Sequence, residues 1–272
     1  MSGVKNMTEN LKVACFGDNC VDYYDETGAA YYGGNPLNAA VYLRRLGSEA
    51  SYLGAVGSDH YGRELLKAAS SKGIDISHVQ VMEGATALSH VSIRDGERIF
   101  GDYDEGVMAK FALRDEDFAF IARHDAAVTG LWGHCEKDLS RIHRMGIPVM
   151  FDSADRLDDP ASITARPDTD IFFFSDDKSD EETLTKILKS ITESGPSIAV
   201  ATRGEKGSLA WDGKEIVRQG IIPFKIKDTM GAGDSFIAGF LYAYLQKSTL
   251  RECMKSGALS SAQTLQYFGA WK

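Results

Sequence analysis

Asp228-Thr-Met-Gly-Ala-Gly-Asp234 runs straight into the apolar stretch Ser235-Phe-Ile-Ala-Gly-Phe-Leu241. That order reads as a tight glycine turn feeding the first turn of a helix. Gly231, Ala232 and Gly233 carry little or no side chain, so an anion can come close to their backbone N–H groups. The first N–H groups of a helix lack internal partners and lie at the positive end of its dipole. Together they form an anion cradle. Asp234 would then be a carboxylate beside a bound negative charge. It cannot attract a phosphate, but it can take the proton of an attacking hydroxyl, which is general-base chemistry. The same four residues also fit an ordinary turn with Asp234 as a helix cap. No Gly-Lys-Ser/Thr follows, so this is not a Walker loop, and its place near the C-terminus sets it apart from a dinucleotide fingerprint.

Further polar groups fall where strands are expected to end. Asp18, Asn19 and Asp22, after Leu11–Phe16, could accept hydrogen bonds from sugar hydroxyls, or form a turn. In Gly33-Gly-Asn-Pro-Leu-Asn38 the glycines, Gly34 included, permit close backbone approach. Asn35 or Asn38 could bond a polyol there, and Asn38 could equally cap the next helix. Gly101-Asp-Tyr-Asp-Glu-Gly106 is a dense acidic cluster. In Asp152-Ser-Ala-Asp-Arg156, Arg156 could pair with Asp152 or reach a ligand. Thr202-Arg-Gly-Glu-Lys-Gly207 has the small and hydroxyl residues that suit nucleotide phosphates, and also those of a plain turn.

The elements that must hold these residues alternate. Strands are expected at Leu11–Phe16, Ala50–Val56, Ala126–Thr129, Pro148–Phe151, Ile171–Phe174 and Ser197–Ala201. Helical patterns occupy 38–46, 61–72, 137–145 and 180–193. Such alternation predicts a parallel sheet covered on both faces, with ligands beyond the C-terminal strand ends. Two regions, about 20–34 and 86–105, break the rhythm. The second alternates polar and apolar residues and turns at Asp95-Gly96, a hairpin signal. Both read as strands of a small antiparallel sheet placed to act as a lid that excludes water.

The chain has 272 residues, 43% hydrophobic, which fits one globular unit of the larger kind or a main domain with a small appendage, and its net charge of −9 argues against a nucleic-acid or anionic-membrane partner. No run approaches the roughly 18 apolar residues of a membrane span, and Met1–Asn10 lacks a signal-type apolar core. Cys15, Cys20, Cys135 and Cys253 form no Cys-x-x-Cys pair, so reduced structural thiols and a cytoplasmic location are expected.

Taken in order, these stretches resemble the PfkB (ribokinase-like) family of sugar kinases along nearly the whole chain. Gly33-Gly34-Asn35 through Asn38-Ala39 is similar to its N-terminal signature, and Asp228–Asp234 is similar to its highly specific C-terminal signature. The resemblance implies a three-layer α/β/α core with a small antiparallel β lid, and phosphorylation of a hydroxyl by ATP with Mg²⁺. It implies Asp234 as the base and Gly231, Ala232 and Gly233 as the anion hole. Asp22 and Asn38 match substrate-hydroxyl positions, with Gly34 and Asn35 beside them. Thr202, Gly204 and Gly207 match nucleotide positions, joined by Thr229, Gly231 and Gly233, and 262–269 matches the adenine-lining region.

Within the family, Gly17–Asp22, Arg98–Tyr103, Glu105–Ala109, Trp132–His134 and Gln266–Trp271 look like the branch that phosphorylates fructosamines. That implies fructoselysine, an Amadori compound, as substrate and its 6-hydroxyl as acceptor. Its ammonium groups call for acids, and Asp102, Asp104 and Glu105 offer them; Arg98 could hold its carboxylate in bidentate fashion. Another sugar, fructosamine or nucleoside, or a catalytically silent sensor, would leave the same signatures. Many family members carry Asn-x-x-Glu to organise the metal, where this chain has Ser175-Asp-Asp-Lys178, so no metal ligand is assigned. Tyr23, Tyr24, Tyr31 and Tyr32 would permit a homodimer through the lid, and could as well pack beneath it.

Overall fold

The computed structural model describes residues 10–94 and 97–271; the side chains of 93, 94, 97, 98 and 100 are outside the described set. The main sheet has eight strands. In spatial order they are β14 (Ile216–Gln219), β13 (Ser208–Trp211), β12 (Ile198–Thr202), β11 (Ile171–Ser175), β10 (Val149–Asp152), β9 (Ala126–Gly130), β1 (Lys12–Phe16) and β4 (Glu49–Leu53). From β4 to β12 all neighbours are parallel, while β12–β13 and β13–β14 are antiparallel. The sheet is therefore mixed where the sequence predicted a parallel one. The hairpin after β12 returns through one 3-10 turn, Gly204–Lys206, too short for a crossover helix.

Alternate side chains of each buried strand enter opposite layers. Val13 and Cys15 join one core cluster, Ala14 and Phe16 the other. The first layer takes Leu37 and Val41 of α1 (Asn35–Arg45), Leu65 of α2 (His60–Ser71), Phe236 and Phe240 of α7 (Ala232–Leu245), and Met254 of α8 (Leu250–Thr264). The second takes Phe118 of α3 (Asp115–Ile121), Leu139 of α4 (Leu139–Arg144), Ala165 of α5 (Pro160–Ala165) and Leu184 of α6 (Glu181–Glu193). Phe172, Phe173 and Phe174 of β11 are buried on both sides of the sheet. Burial of such a side chain contributes about 1.5–3 kcal/mol, which makes β11 a firm platform for the loop after it.

A second sheet has four strands, in the order β3 (Ala29–Gly33), β2 (Cys20–Tyr24), β7 (Leu88–Arg94) and β8 (Glu97–Asp104). It is antiparallel except for β2–β7, which run parallel because they come from separate excursions of the chain. The expected turn at Asp95-Gly96 lies outside the described residues. A short parallel pair, β5 (Ala55–Gly57) and β6 (Gln80–Met82), was not foreseen; it splits the strand expected over 50–56. Tyr24 is buried and meets Tyr31 edge-on at 5.2 Å, and Tyr31 meets Phe268 at 5.5 Å. Those two tyrosines thus pack against the C-terminal segment.

Candidate active site

The site is assembled at the C-terminal ends of β1 and β10 and the N-termini of α1 and α7. Asn35 opens α1, with Pro36 behind it to preset the first turn. The expected start at Asn38 is three residues late, and Asn38 does not cap. Gly34 precedes the helix at φ 113°, and a Cβ there would lie 2.4 Å from the Asn19 Cα, so only glycine lets this turn press onto the end of β1. At the other helix Gly231 sits at φ 72°, where a Cβ would lie 2.3 Å from the Tyr42 hydroxyl.

Asp234 lies in the first turn of α7. Its carboxylate accepts hydrogen bonds from across the site: Asn35 Nδ2 donates to Oδ1 and Asn38 Nδ2 to Oδ2, each at 2.7 Å. These side-chain partners favour a site residue over the cap reading. Asn35 Nδ2 also donates to Asp152 Oδ2 at 2.7 Å, and the Asn35 backbone N–H donates to Asp18 Oδ2 at 2.9 Å. Three carboxylates therefore converge on one asparagine. Asp18 is buried, and its Oδ1 and the Asn35 Oδ1 have no partner.

Withdrawal from water pushes all three carboxyls up. Asp234 rises to about 7, against the Asn38 and Asn35 donors and with the charges of Asp152 and Asp18 adding to the rise. Asp18 rises to about 6, chiefly through burial, although the Asn35 N–H and His134 oppose it. Asp152 rises to about 6 for the same first reason, opposed by the Ala154 N–H and Asn35. A carboxylate poised near neutrality suits a general base.

The C-terminal tail closes one side. Trp271 Nε1 donates to Asn38 Oδ1 at 2.7 Å, the Gly269 N–H donates to Asp228 Oδ2 at 2.7 Å, and the Tyr42 hydroxyl donates to the Ala270 carbonyl. Asp228 thus anchors the tail as well as its own turn, where Oδ1 accepts the Met230 N–H at 3.1 Å.

In the glycine turn the Ala232 N–H already donates to the Thr229 carbonyl at 3.2 Å, so it is less free for an anion than the sequence reading had it. Gly233 is exposed with open space around its Cα, and Thr229 is exposed beside it. Thr202, at the end of β12, shares a hydrogen bond with Ser175 at 2.8 Å, and Gly204 and Gly207 bracket the 3-10 turn that follows. The Asn19 NH₂ donates to the Tyr52 hydroxyl and the Ala55 carbonyl, while its acceptor oxygen, Oδ1, is buried without a partner. Asp22 lies on β2 and Asp102 is exposed on β8; the Arg98 side chain is outside the described set. Arg156 lies over the Trp132 ring at 5.3 Å and is not paired with Asp152.

The acidic cluster divides. Asp104 Oδ1 accepts the Gly106 N–H at 2.9 Å, while Glu105 pairs with His134. Partial burial raises the Tyr103 hydroxyl, helped by Cys20, Asp18, Glu105 and Asp104, although the residue is 49% exposed. Sequence reasoning passed over Asp152, His134 and Trp271 as site groups. The signals were a carboxylate at a strand end and an aromatic residue next to the last in the chain.

A cavity of about 510 Å³ opens beyond β10 and β11, lined by Asp155, Arg156, Asp158, Asp176, Asp177 and Lys178 among others. Among the described residues no three metal-ligating side chains are grouped to hold an ion.

Residues 7–271 match the model of the pfkB family carbohydrate kinases. The chain is 43% identical over 259 residues to the fructoselysine 6-kinase of Escherichia coli K12, covering 95% of this chain and 99% of that one. It is 32% identical to the fructosamine kinase FrlD of Bacillus subtilis 168, covering 96% and 93%. Arabidopsis thaliana ribokinase, solved with ribose and ATP, superposes with a TM-score of 0.88 at 20% identity, over 96% of this chain and 94% of that one.

Proposed function

The chain belongs to the pfkB family of carbohydrate kinases, and on that premise we propose that it transfers the γ-phosphoryl group of ATP to the 6-hydroxyl of fructoselysine. The observation that carries this reading is Asp234, held by two asparagine amides at the mouth of a glycine turn. ATP with Mg²⁺ supplies the phosphoryl group. Asp234 accepts the proton of the attacking hydroxyl, and Asn35 and Asn38 fix which lone pairs it presents. The exposed N–H at Gly233, with Gly231 and to a lesser degree Ala232, faces the charge that develops during transfer. Thr202, Gly204, Gly207 and Thr229 lie on the nucleotide side. Asp18, Asp22, Gly34 and Asn38 lie on the sugar side.

A fructosamine differs from a plain sugar by its ammonium groups. Glu105 serves as their counter-ion, steadied by His134, with exposed Asp102 further out; Arg98 is assigned to the substrate carboxylate. The names of the bacterial relatives support this choice of substrate. The second sheet acts as a lid, and its outer face is the surface through which two copies would pair, which sedimentation would test.

The deciding experiment is ADP release with MgATP across fructoselysine, other fructosyl amino acids, fructose, ribose and a nucleoside. The highest kcat/KM with fructoselysine supports the reading. Turnover confined to plain sugars or nucleosides overturns the amine assignment, and ATP binding without turnover on any of them favours a sensor.

A further inference from the structure

The reaction as described makes no use of Asp152, yet Asp152 is tied to the base through one side chain. Its Oδ1 accepts the Ala154 N–H at 2.9 Å, and its Oδ2 accepts Asn35 Nδ2 at 2.7 Å. The same nitrogen donates to Asp234 Oδ1 at 2.7 Å. An amide NH₂ has two hydrogens, so each carboxylate takes one. The remaining freedom of Asn35 is small. Its backbone N–H is held by Asp18, and its Oδ1 lies against Gly130, where an added Cβ would sit 2.6 Å away. With the Asp152 acceptor gone, a single hydrogen bond to Asp234 would remain, about which the amide could turn.

We propose that Asp152 is a positioning residue for phosphoryl transfer, acting through Asn35 to set the orientation of the Asp234 carboxylate. The proposal rests on the reading of Asp234 as general base. Around Asp234 stand Asn35, Asn38 and the Tyr42 hydroxyl from α1, Asp18 from the end of β1 and Asp152 from β10. Of these, Asp152 is the one that both carries a like charge and shares an amide with the base. Its two effects therefore separate in experiment. Loss of Asn35 removes a donor from Asp234 and raises the pH at which the base loses its proton. Loss of the Asp152 charge lowers that pH.

The test is a double-mutant cycle on the folded full-length enzyme, with Asp152→Asn, Asn35→Ala and both together, following kcat from pH 5 to 9. Asp152→Asn keeps an oxygen for the Ala154 N–H, so the turn after β10 is retained; thermal melting of each variant checks folding, and Asp152→Ala serves as a second variant. The expected results are a plateau kcat at least tenfold down in Asp152→Asn with KM for ATP unchanged, and an acid limb moved to lower pH. In Asn35→Ala the limb moves to higher pH. The double variant loses no more plateau kcat than Asn35→Ala alone, because both changes break one linkage. An acid limb unmoved in both Asp152 variants, or plateau losses that multiply, overturns the proposal. Asp234→Asn is measured alongside: near-normal turnover there defeats the base reading and this inference together, whereas an inactive Asp234→Asn with unmoved Asp152 limbs defeats this inference alone.

Discussion

The indole N–H of Trp271 donates to Asn38 Oδ1 at 2.7 Å, and this bond decides which end of Asn38 faces Asp234. With the oxygen held by the tail, the NH₂ must point at the carboxylate. A residue next to the last in the chain thereby sets the hydrogen bonding of the proposed base. Trp271→Phe keeps most of the ring and removes the donor. Turnover is expected to fall about tenfold, equivalent to about 1.4 kcal/mol of barrier, with KM for ATP little changed. Turnover equal to the parent's would show that Asn38 needs no such anchor.

A base poised near neutrality makes two pH statements. Turnover should fall as pH drops through about 7, where Asp234 takes up its proton, and Asp234→Asn should lose on the order of 10²–10⁴ in kcat. Stability runs the other way. The ordinary value of the group is 3.8, so between that pH and about 7 the folded chain holds a proton that the unfolded chain has lost. Stability then declines as pH rises across this window. Asp18 and Asp152, both raised to about 6, act in the same direction, and the three titrate as a group. Melting temperatures from pH 4 to 8 should therefore slope downward, less steeply in Asp234→Asn. A flat profile would mean that the carboxylates are better hydrated than their surroundings indicate.

Much of this arrangement was legible in the residues. The β-branched and aromatic runs gave the parallel strands because each is buried on both faces, and glycines beyond helix ends gave the stops. The two asparagines were legible as polar groups near glycines, but not their partners. Asn35 faces carboxylates 117 and 199 residues away, and no local pattern encodes a pairing at that separation. Asn38 stayed open between a polyol partner and a cap because polar residues before apolar runs often are caps; the Asn35-Pro36 start, a stronger signal, was overlooked. The antiparallel pair β13–β14 was missed because its strands are four residues each, too short for a periodicity to emerge. Of the two roles open to Arg156, pairing with Asp152 or reaching a ligand, the first is not realised: its guanidinium lies over the Trp132 face, at the edge of the cavity it helps to line.

The Glu105–His134 pair gives a test of substrate choice. His134 holds φ 53°, an uncommon backbone state for a residue with a side chain, and Glu105 follows directly on β8. Their contact joins the second sheet to the main body. If Glu105 receives the substrate ammonium, Glu105→Gln should raise KM for fructoselysine roughly tenfold or more, as expected for loss of a charge-assisted hydrogen bond. KM for fructose, which has no ammonium, should move less than twofold. Equal effects on both sugars would assign Glu105 to lid structure alone.

Closure of the second sheet should be visible in its backbone, and the C-terminal segment is the element that would couple it to the base. Tyr31 of β3 meets Phe268 at 5.5 Å, and the three residues after Phe268 hold Asp228, Tyr42 and Asn38 in turn. Movement of β3 onto a bound sugar would thus be transmitted along four residues to the amide that faces Asp234. Hydrogen exchange in β2, β3 and β7 should slow when fructoselysine and a nonhydrolysable ATP analogue are added together, since ordering of the sheet on its ligands raises its opening free energy. Phe268→Ala removes the ring that joins sheet to tail. Slowed exchange should persist in that variant while turnover falls several-fold, because the sheet still closes but no longer presses the tail into place. If exchange in the parent is unchanged by both ligands, the sheet does not act as a lid; if Phe268→Ala turns over normally, the tail does not carry the coupling.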